Sequence, residues 1–226
     1  MLVALDNTYS AGVLLDAYAH GVDISMQALT KYAGGHSDLL LGSVSVNSEA
    51  VCEGVGAMFK QLGPAVSPDD CSLALRGLQT MGVRLSGVRL SYLETATLEL
   101  MHWLAVRPEI ATVLHLALPS CPGHALWQRD FTGSASVFSV LFTDEFSTRQ
   151  VEAFVDGLRL FKIGMSWGGL TSLALVYPRL IRPGMDLAGR LARINVGLED
   201  VGALKADRAQ SLAALQPETE EGARHG

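Results

Sequence analysis

The chain has 226 residues, 49% hydrophobic and 18% charged, a balance that suits packed structure and is enough for one large or two small domains. Its formal charge of -6, with no Lys/Arg-rich cluster, excludes the basic footprint that nucleic acid or an anionic membrane surface requires. Three cysteines, Cys52, Cys71 and Cys121, lack CxxC spacing, which argues against a disulfide framework or a zinc site and for a reducing compartment, the cytoplasm.

The opening MLVALDN lacks the basic region and long apolar core of a signal peptide. No apolar run approaches the roughly twenty residues that span a membrane. Residues 2–5 (LVAL) form a short apolar run that stops at Asp6, as a buried parallel strand does. Residues 12–20 predict a short helix closed by Gly21. Residues 23–29 predict a second strand, ending at Thr30-Lys31 before the Gly34-Gly35 turn, and residues 39–46 (LLLGSVSV) a third. Strand, helix, strand implies a parallel α/β layer, whose ligands sit beyond the carboxyl ends of the strands. Asp6 and Lys31 both fall at such ends.

From residue 48 to 107 apolar residues recur at spacings of three and four, which predicts helices, the last over 90–106 and stopped by Pro108. Residues 111–116, 136–143 and 193–197 read as strands and 148–159 as a helix, so a second, α+β domain is expected. The expected division is 1–76 and 77–216, followed by a polar, disordered tail over 217–226. A parallel sheet that opens inside a strand leaves an apolar edge, so the sequence reads as the later part of something longer.

Four features could carry chemistry. Lys31, flanked by Thr30 and Tyr32 after the apolar-rich ISMQAL, would be desolvated, which lowers the pKa of an amine and makes it a nucleophile and base. Its alternative is a lysine that snorkels from a strand end. Asp6 before Asn-Thr is either a ligand carboxylate or a turn former. Arg193, in the apolar RINVGL, awaits a buried anion or is an edge charge, and Ser166-Trp167-Gly168-Gly169 could be a simple turn. Together they match the needs of pyridoxal phosphate: a lysine for its aldehyde, a carboxylate for its ring nitrogen, donors for its phosphate and an arginine for the substrate carboxylate.

Residues 6–38, DNTYSAGVLLDAYAHGVDISMQALTKYAGGHSD, strongly resemble the cofactor segment of the Cys/Met-metabolism pyridoxal-phosphate family. The order DNT, a Gly-bounded helix, then TKYxxGHSD is highly specific. Further matches run through LRGLQTMGVRL (75–85), LPSCPGHALWQRDFTGS (118–134), MSWGGLTSL (165–173) and RINVGLED (193–200). Serine followed by Trp167 looks like the bacterial cystathionine β-lyase branch, since relatives that act at the γ-carbon usually carry leucine there.

The resemblance implies an α/β fold of the fold-type I transferase class, a partial large cofactor domain followed by an α+β small domain. It implies that Lys31 is the lysine bonded to pyridoxal 5'-phosphate, that Asp6 keeps the ring nitrogen protonated and that Thr30 is a phosphate-binding hydroxyl. Ala28 stands where many relatives carry a second phosphate-binding serine. Arg193 would clamp the substrate carboxylate, with Ser166 and Trp167 beside it, and no metal is implied. The implied reaction is β-elimination on L-cystathionine, giving homocysteine, pyruvate and ammonia. Alternatives are a related cysteine desulfhydrase or γ-lyase, or a truncated, non-catalytic fragment or split subunit. The implied partners are a sulfur amino-acid substrate and either further copies, since relatives form dimers and tetramers, or a complementary N-terminal piece.

Overall fold

The computed structural model describes residues 1–85, 89–181, 183–184, 187 and 189–215. The expected tail over 217–226 lies outside the described residues. The chain forms two compact units, Met1–Tyr92 with Gln128–Ala135, and Leu93–Trp127 with Ser136–Gly226.

The first unit holds a three-stranded sheet of β1 (Ala4–Asp6), β2 (Ile24–Ala28) and β3 (Gly42–Val46) in the order β1-β2-β3. β1 and β2 are parallel, with Asp6 opposite Met26, as expected, although the helix on which that expectation rested is not there. β3 is antiparallel to β2, with Ala28 opposite Gly42, so the sheet is mixed rather than parallel throughout. The reason is the connection over 29–41. There the chain turns back alongside β2, which brings β3 in antiparallel.

The helix expected over 12–20 is absent; the segment is a run of tight turns. Ala11 and Gly12 both have positive φ, 55° and 68°, which takes the chain out of the right-handed helical region at the point where a helix would begin. Short-range bonds such as His20 N–H to the Ala17 carbonyl, 3.2 Å, close turns instead.

Two helices follow, α1 (Glu49–Leu62) and α2 (Pro68–Val83). α1 has no buried residue and ends at Gly63, whose φ of 60° is the left-handed cap that favours glycine. α2 starts well: Ser67 accepts the Asp70 N–H at 3.0 Å, and Pro68, Asp69 and Asp70 fill the first turn. Residue 76, the expected end of the first domain, lies inside α2.

The second unit contains most of α3 (Arg89–Ala105), then β4 (Ile110–Leu114), β5 (Val137–Phe142), α5 (Thr148–Asp156), β6 (Lys162–Ile163), β7 (Leu173–Val176), β8 (Leu191–Asn195) and α6 (Val201–Ala213). The short α4 (His124–Asp130) has residues in both units. The sheet order is β4-β5-β8-β7-β6. β5 and β8 are inner strands covered on both faces, which is why VFSVLF and LARIN read as nearly continuous apolar runs. Leu100, Met101, Leu104, Val140, Phe142, Val151, Phe154, Ile194 and Leu204 are fully buried. Each such side chain contributes about 1.5–3 kcal/mol by leaving water.

Candidate functional site

In the first unit the candidate site begins at the carboxyl ends of β1 and β2. Asp6 is opposite Met26, so its side chain leaves the sheet on the face shared by Met26 and Ala28. A cavity of about 400 Å³ opens there, lined by Asp6, Met26, Ala28, Val44 and, from α1, Phe59. One carboxylate oxygen is braced. Thr8 donates both its N–H (3.0 Å) and its hydroxyl (2.5 Å) to Asp6 Oδ1, while the Ala28 N–H donates to Thr8 Oγ1 at 2.9 Å. Because the Ala28 amide occupies an acceptor lobe of the hydroxyl, its proton is directed at the carboxylate. Oδ2 has no hydrogen bond among the described residues. Thr8, 4% exposed, was not singled out from sequence, although Asp-x-Thr is the spacing at which a carboxylate captures the turn that follows it.

Thr30 and Lys31 sit in the turn after β2. Thr30 uses its hydroxyl on the segment before β3, accepting the Leu41 N–H at 3.0 Å and facing the Leu41 carbonyl at 3.3 Å. Its proton is therefore committed to backbone in this arrangement. Lys31 is half-buried; its N–H donates to the Ala28 carbonyl at 3.0 Å and its carbonyl accepts the Gly35 N–H at 2.8 Å. The next two residues, Tyr32 and Ala33, are 1% and 4% exposed.

A residue missed from sequence anchors that turn. Arg84, just past α2, donates to the carbonyls of Tyr32 (2.9 Å), Ala33 (2.7 Å) and Gly77 (2.6 Å) and to Thr80 Oγ1 (3.0 Å). Burial pulls its pKa down from the usual arginine value. No periodicity could have shown this, because the carbonyls it binds lie in a loop about fifty residues earlier.

In the second unit Arg193 stands at the middle of β8, opposite Ser139 on β5 and Leu175 on β7. Its guanidinium carbon lies 5.6 Å from the centre of the Tyr177 ring. Nη2 donates to the carbonyls of Met165 (2.6 Å), Ser166 (3.2 Å) and Gly164 (3.4 Å). Nε and Nη1 make no hydrogen bond among the described residues, so Nη2 alone ties the guanidinium to the chain over 164–166. Arg193, Ser166 and Trp167 are thus brought together within this unit.

The residues that follow Arg193 continue the hold on the same loop. Asn195, 1% exposed, accepts the Gly168 N–H on Oδ1 (2.9 Å) and donates from Nδ2 to the Thr171 carbonyl (3.2 Å). Ser136 donates to the same Oδ1 at 3.2 Å. The Gly197 N–H donates to Ser172 Oγ at 2.8 Å, and Glu199 accepts the Ser172 N–H (2.9 Å) and hydroxyl (2.8 Å) on its two oxygens. Every second residue from 193 to 199 therefore reaches the loop over 164–172. The alternation was visible in RINVGLED; what it grips was not.

Among the described residues no group of three or more His, Cys, Asp and Glu side chains is placed to hold a metal. Among them also, no helix is long and apolar enough to cross a membrane.

Comparison with known proteins gives these features a context. Residues 1–213 match the model of the Cys/Met metabolism PLP-dependent enzymes. The chain is 40% identical to a cystathionine beta-lyase of Haemophilus influenzae over 92% of its own length and 52% of that protein. It is 39% identical to the cystathionine beta-lyase MetC of Escherichia coli over 95% of its length and 54% of that protein. The solved structure of apo CalE6, a methionine gamma lyase from Micromonospora echinospora, superposes with a TM-score of 0.81 at 29% identity, over 93% of this chain and 55% of that one. The chain thus spans about half the length of the curated relatives it matches.

Proposed function

This chain belongs to the Cys/Met metabolism PLP-dependent enzyme family, and on that premise we propose that it carries the lysine, ring carboxylate and substrate arginine of a carbon-sulfur lyase that performs β-elimination on L-cystathionine. The observation that carries the reading is Asp6, a strand-end carboxylate with one oxygen braced by Thr8 and one open, beside a cavity of about 400 Å³. That arrangement fits pyridoxal phosphate, whose protonated ring nitrogen needs an ionised acceptor in a fixed place.

Bound pyridoxal phosphate supplies an electron sink for the charge left at the substrate α-carbon. Lys31 holds the cofactor at rest, then takes the α-proton on Nζ and passes a proton onward as the thiol departs. Asp6 would hold the ring nitrogen through its remaining oxygen and keep that nitrogen cationic. Arg193 would hold the α-carboxylate by its positive charge and its remaining N–H donors, which orients the bond to be broken. Ser166 and Trp167, on the loop that Arg193 Nη2 holds, border the bound substrate. Thr30 contributes to the phosphate if its hydroxyl proton swings from the Leu41 carbonyl, a 3.3 Å contact that is weak to give up. The proposed products are homocysteine, pyruvate and ammonia.

The test is direct. Pyridoxal phosphate mixed with the chain gives a visible absorbance band that Lys31→Ala lacks; equal bands from both proteins would end the reading. A γ-lyase is the second reading, favoured by the similarity to a methionine gamma lyase. Turnover of cystathionine to pyruvate supports β-elimination, and turnover to 2-oxobutyrate supports the γ-lyase.

A further inference from the structure

We infer that Arg84 is a positioning residue for the Lys31 amine, fixing the backbone from which that side chain extends; the inference rests on the reading of Lys31 as the cofactor lysine. Four of the guanidinium hydrogens are used, on the carbonyls of Tyr32, Ala33 and Gly77 and on the Thr80 hydroxyl, at 2.6–3.0 Å. Two of these acceptors are the first and second residues after Lys31. The third and fourth are on α2, so the planar fork ties the turn to the helix at two points on each side.

The packing leaves the turn no other seat. A Cβ added at Gly77 would meet the Ala33 carbonyl at 2.6 Å and Gly34 Cα at 2.9 Å, so helix and turn touch through backbone alone. Gly34 is as tight, with the Leu29 carbonyl 2.7 Å from the place of its Cβ. Tyr32 is buried beside this contact. A lysine at position 84 would keep the charge but could not reach acceptors arranged for a rigid fork. The amine at position 31 is held at its root, and a displacement there of about 1 Å is of the size that costs a reaction about a hundredfold.

The experiment is site-resolved labelling. The chain is mixed with pyridoxal phosphate and reduced with borohydride, and the modified lysines are located by peptide mass, with Lys60, Lys162 and Lys205 as internal references. In the unaltered chain Lys31 is labelled in preference to the other three. Arg84→Lys lowers that preference by about tenfold or more, and Arg84→Ala behaves alike, with added methylguanidinium restoring part of it. Ser67→Ala serves as the control, since it removes the cap of α2 and costs helix stability without touching the turn. Preference retained in Arg84→Lys overturns the inference, as does an equal loss in Ser67→Ala, which would make the effect one of stability. No preference for Lys31 in the unaltered chain sinks the reading of Lys31 and this inference with it. Preference that depends on the lysine but not on Arg84 leaves the first standing and removes the second.

Discussion

The Thr8 hydroxyl donates to Asp6 Oδ1 while it accepts the Ala28 amide, so the carboxylate at the end of β1 is tied through one side chain to the end of β2. Thr8→Val keeps shape and burial but removes both bonds and leaves the Ala28 N–H without its acceptor. Affinity for pyridoxal phosphate is expected to fall about tenfold, near 1.4 kcal/mol, in an absorbance titration. Thr8→Ser keeps the hydroxyl and stays near the parent. Parent-like affinity in Thr8→Val would show that the brace contributes nothing.

Thr30 gives a second test, because its hydroxyl is engaged with the Leu41 backbone before any ligand arrives. Thr30→Val should lower stability by about 1 kcal/mol with no phosphate compound present, read as a shift in the urea midpoint of the first unit. Thr30→Ser should be near neutral. A Thr30→Val chain that unfolds like the parent would mean that the Leu41 bonds contribute nothing.

Arg208 is fully buried, and among the described residues Nε, Nη1 and Nη2 have no hydrogen-bond partner. The Phe161 ring, 4.1 Å from the guanidinium carbon, offsets part of that cost. Burial pushes its pKa down to about 9, opposed by the Asp207 charge. A cation whose folded pKa lies below its unfolded value binds protons less tightly when folded, so stability rises with pH from about 9 upward and the penalty is complete at neutral pH. Arg208→Leu is therefore expected to stabilise the second unit by about 1–4 kcal/mol at pH 7, with a higher melting temperature in calorimetry. An unchanged or lower melting temperature would show that the aromatic contacts outweigh the buried charge.

Gly197 and Asn195 test the hold on the loop over 164–172. A Cβ at Gly197 would run into the Leu170 carbonyl and come to 2.5 Å of the Ser172 N, both backbone atoms that cannot swing aside. Gly197→Ala should push the loop off β8 and weaken binding of a small amino-acid carboxylate, with L-alanine as probe, by about tenfold or more. Asn195→Ala should act in the same direction through the loss of its bonds to Gly168 and Thr171. Following the Arg193 Nε resonance during the titration would check this; parent-like affinity in both variants would disprove the coupling.

Much of the sheet architecture was readable in advance, because it depends on local apolar runs. β5 and β8 declared themselves as buried strands, and Asp6 stopped β1 where expected. The segment over 12–20 misled because its apolar spacing suits a helix, while the positive φ at Ala11 is imposed by Asn7 and Ser10 bonding across the turn rather than by the alanine. β6 and β7 were missed because strands this short owe their existence to neighbours in the sheet. α6 was missed because its Ala-rich surface hides the apolar stripe, although Asp200 caps it by accepting the Ala203 N–H at 2.8 Å. Of the site, Asp6 and Arg193 were legible as charges in apolar company. Arg84 and Asn195 were not, since their significance lies in partners remote along the chain.

The alternation from Arg193 to Glu199 has a consequence for how this stretch can change over time. Within β8 its grip is a matter of parity: a single-residue insertion or deletion between Arg193 and Asn195 would turn Ile194 toward the loop and carry a gripping side chain to the opposite side. A point substitution there damages one rung, whereas a length change of one puts both side-chain rungs of β8 out of register with the loop. Homologous genes should therefore tolerate gaps before and after this heptad but preserve its count.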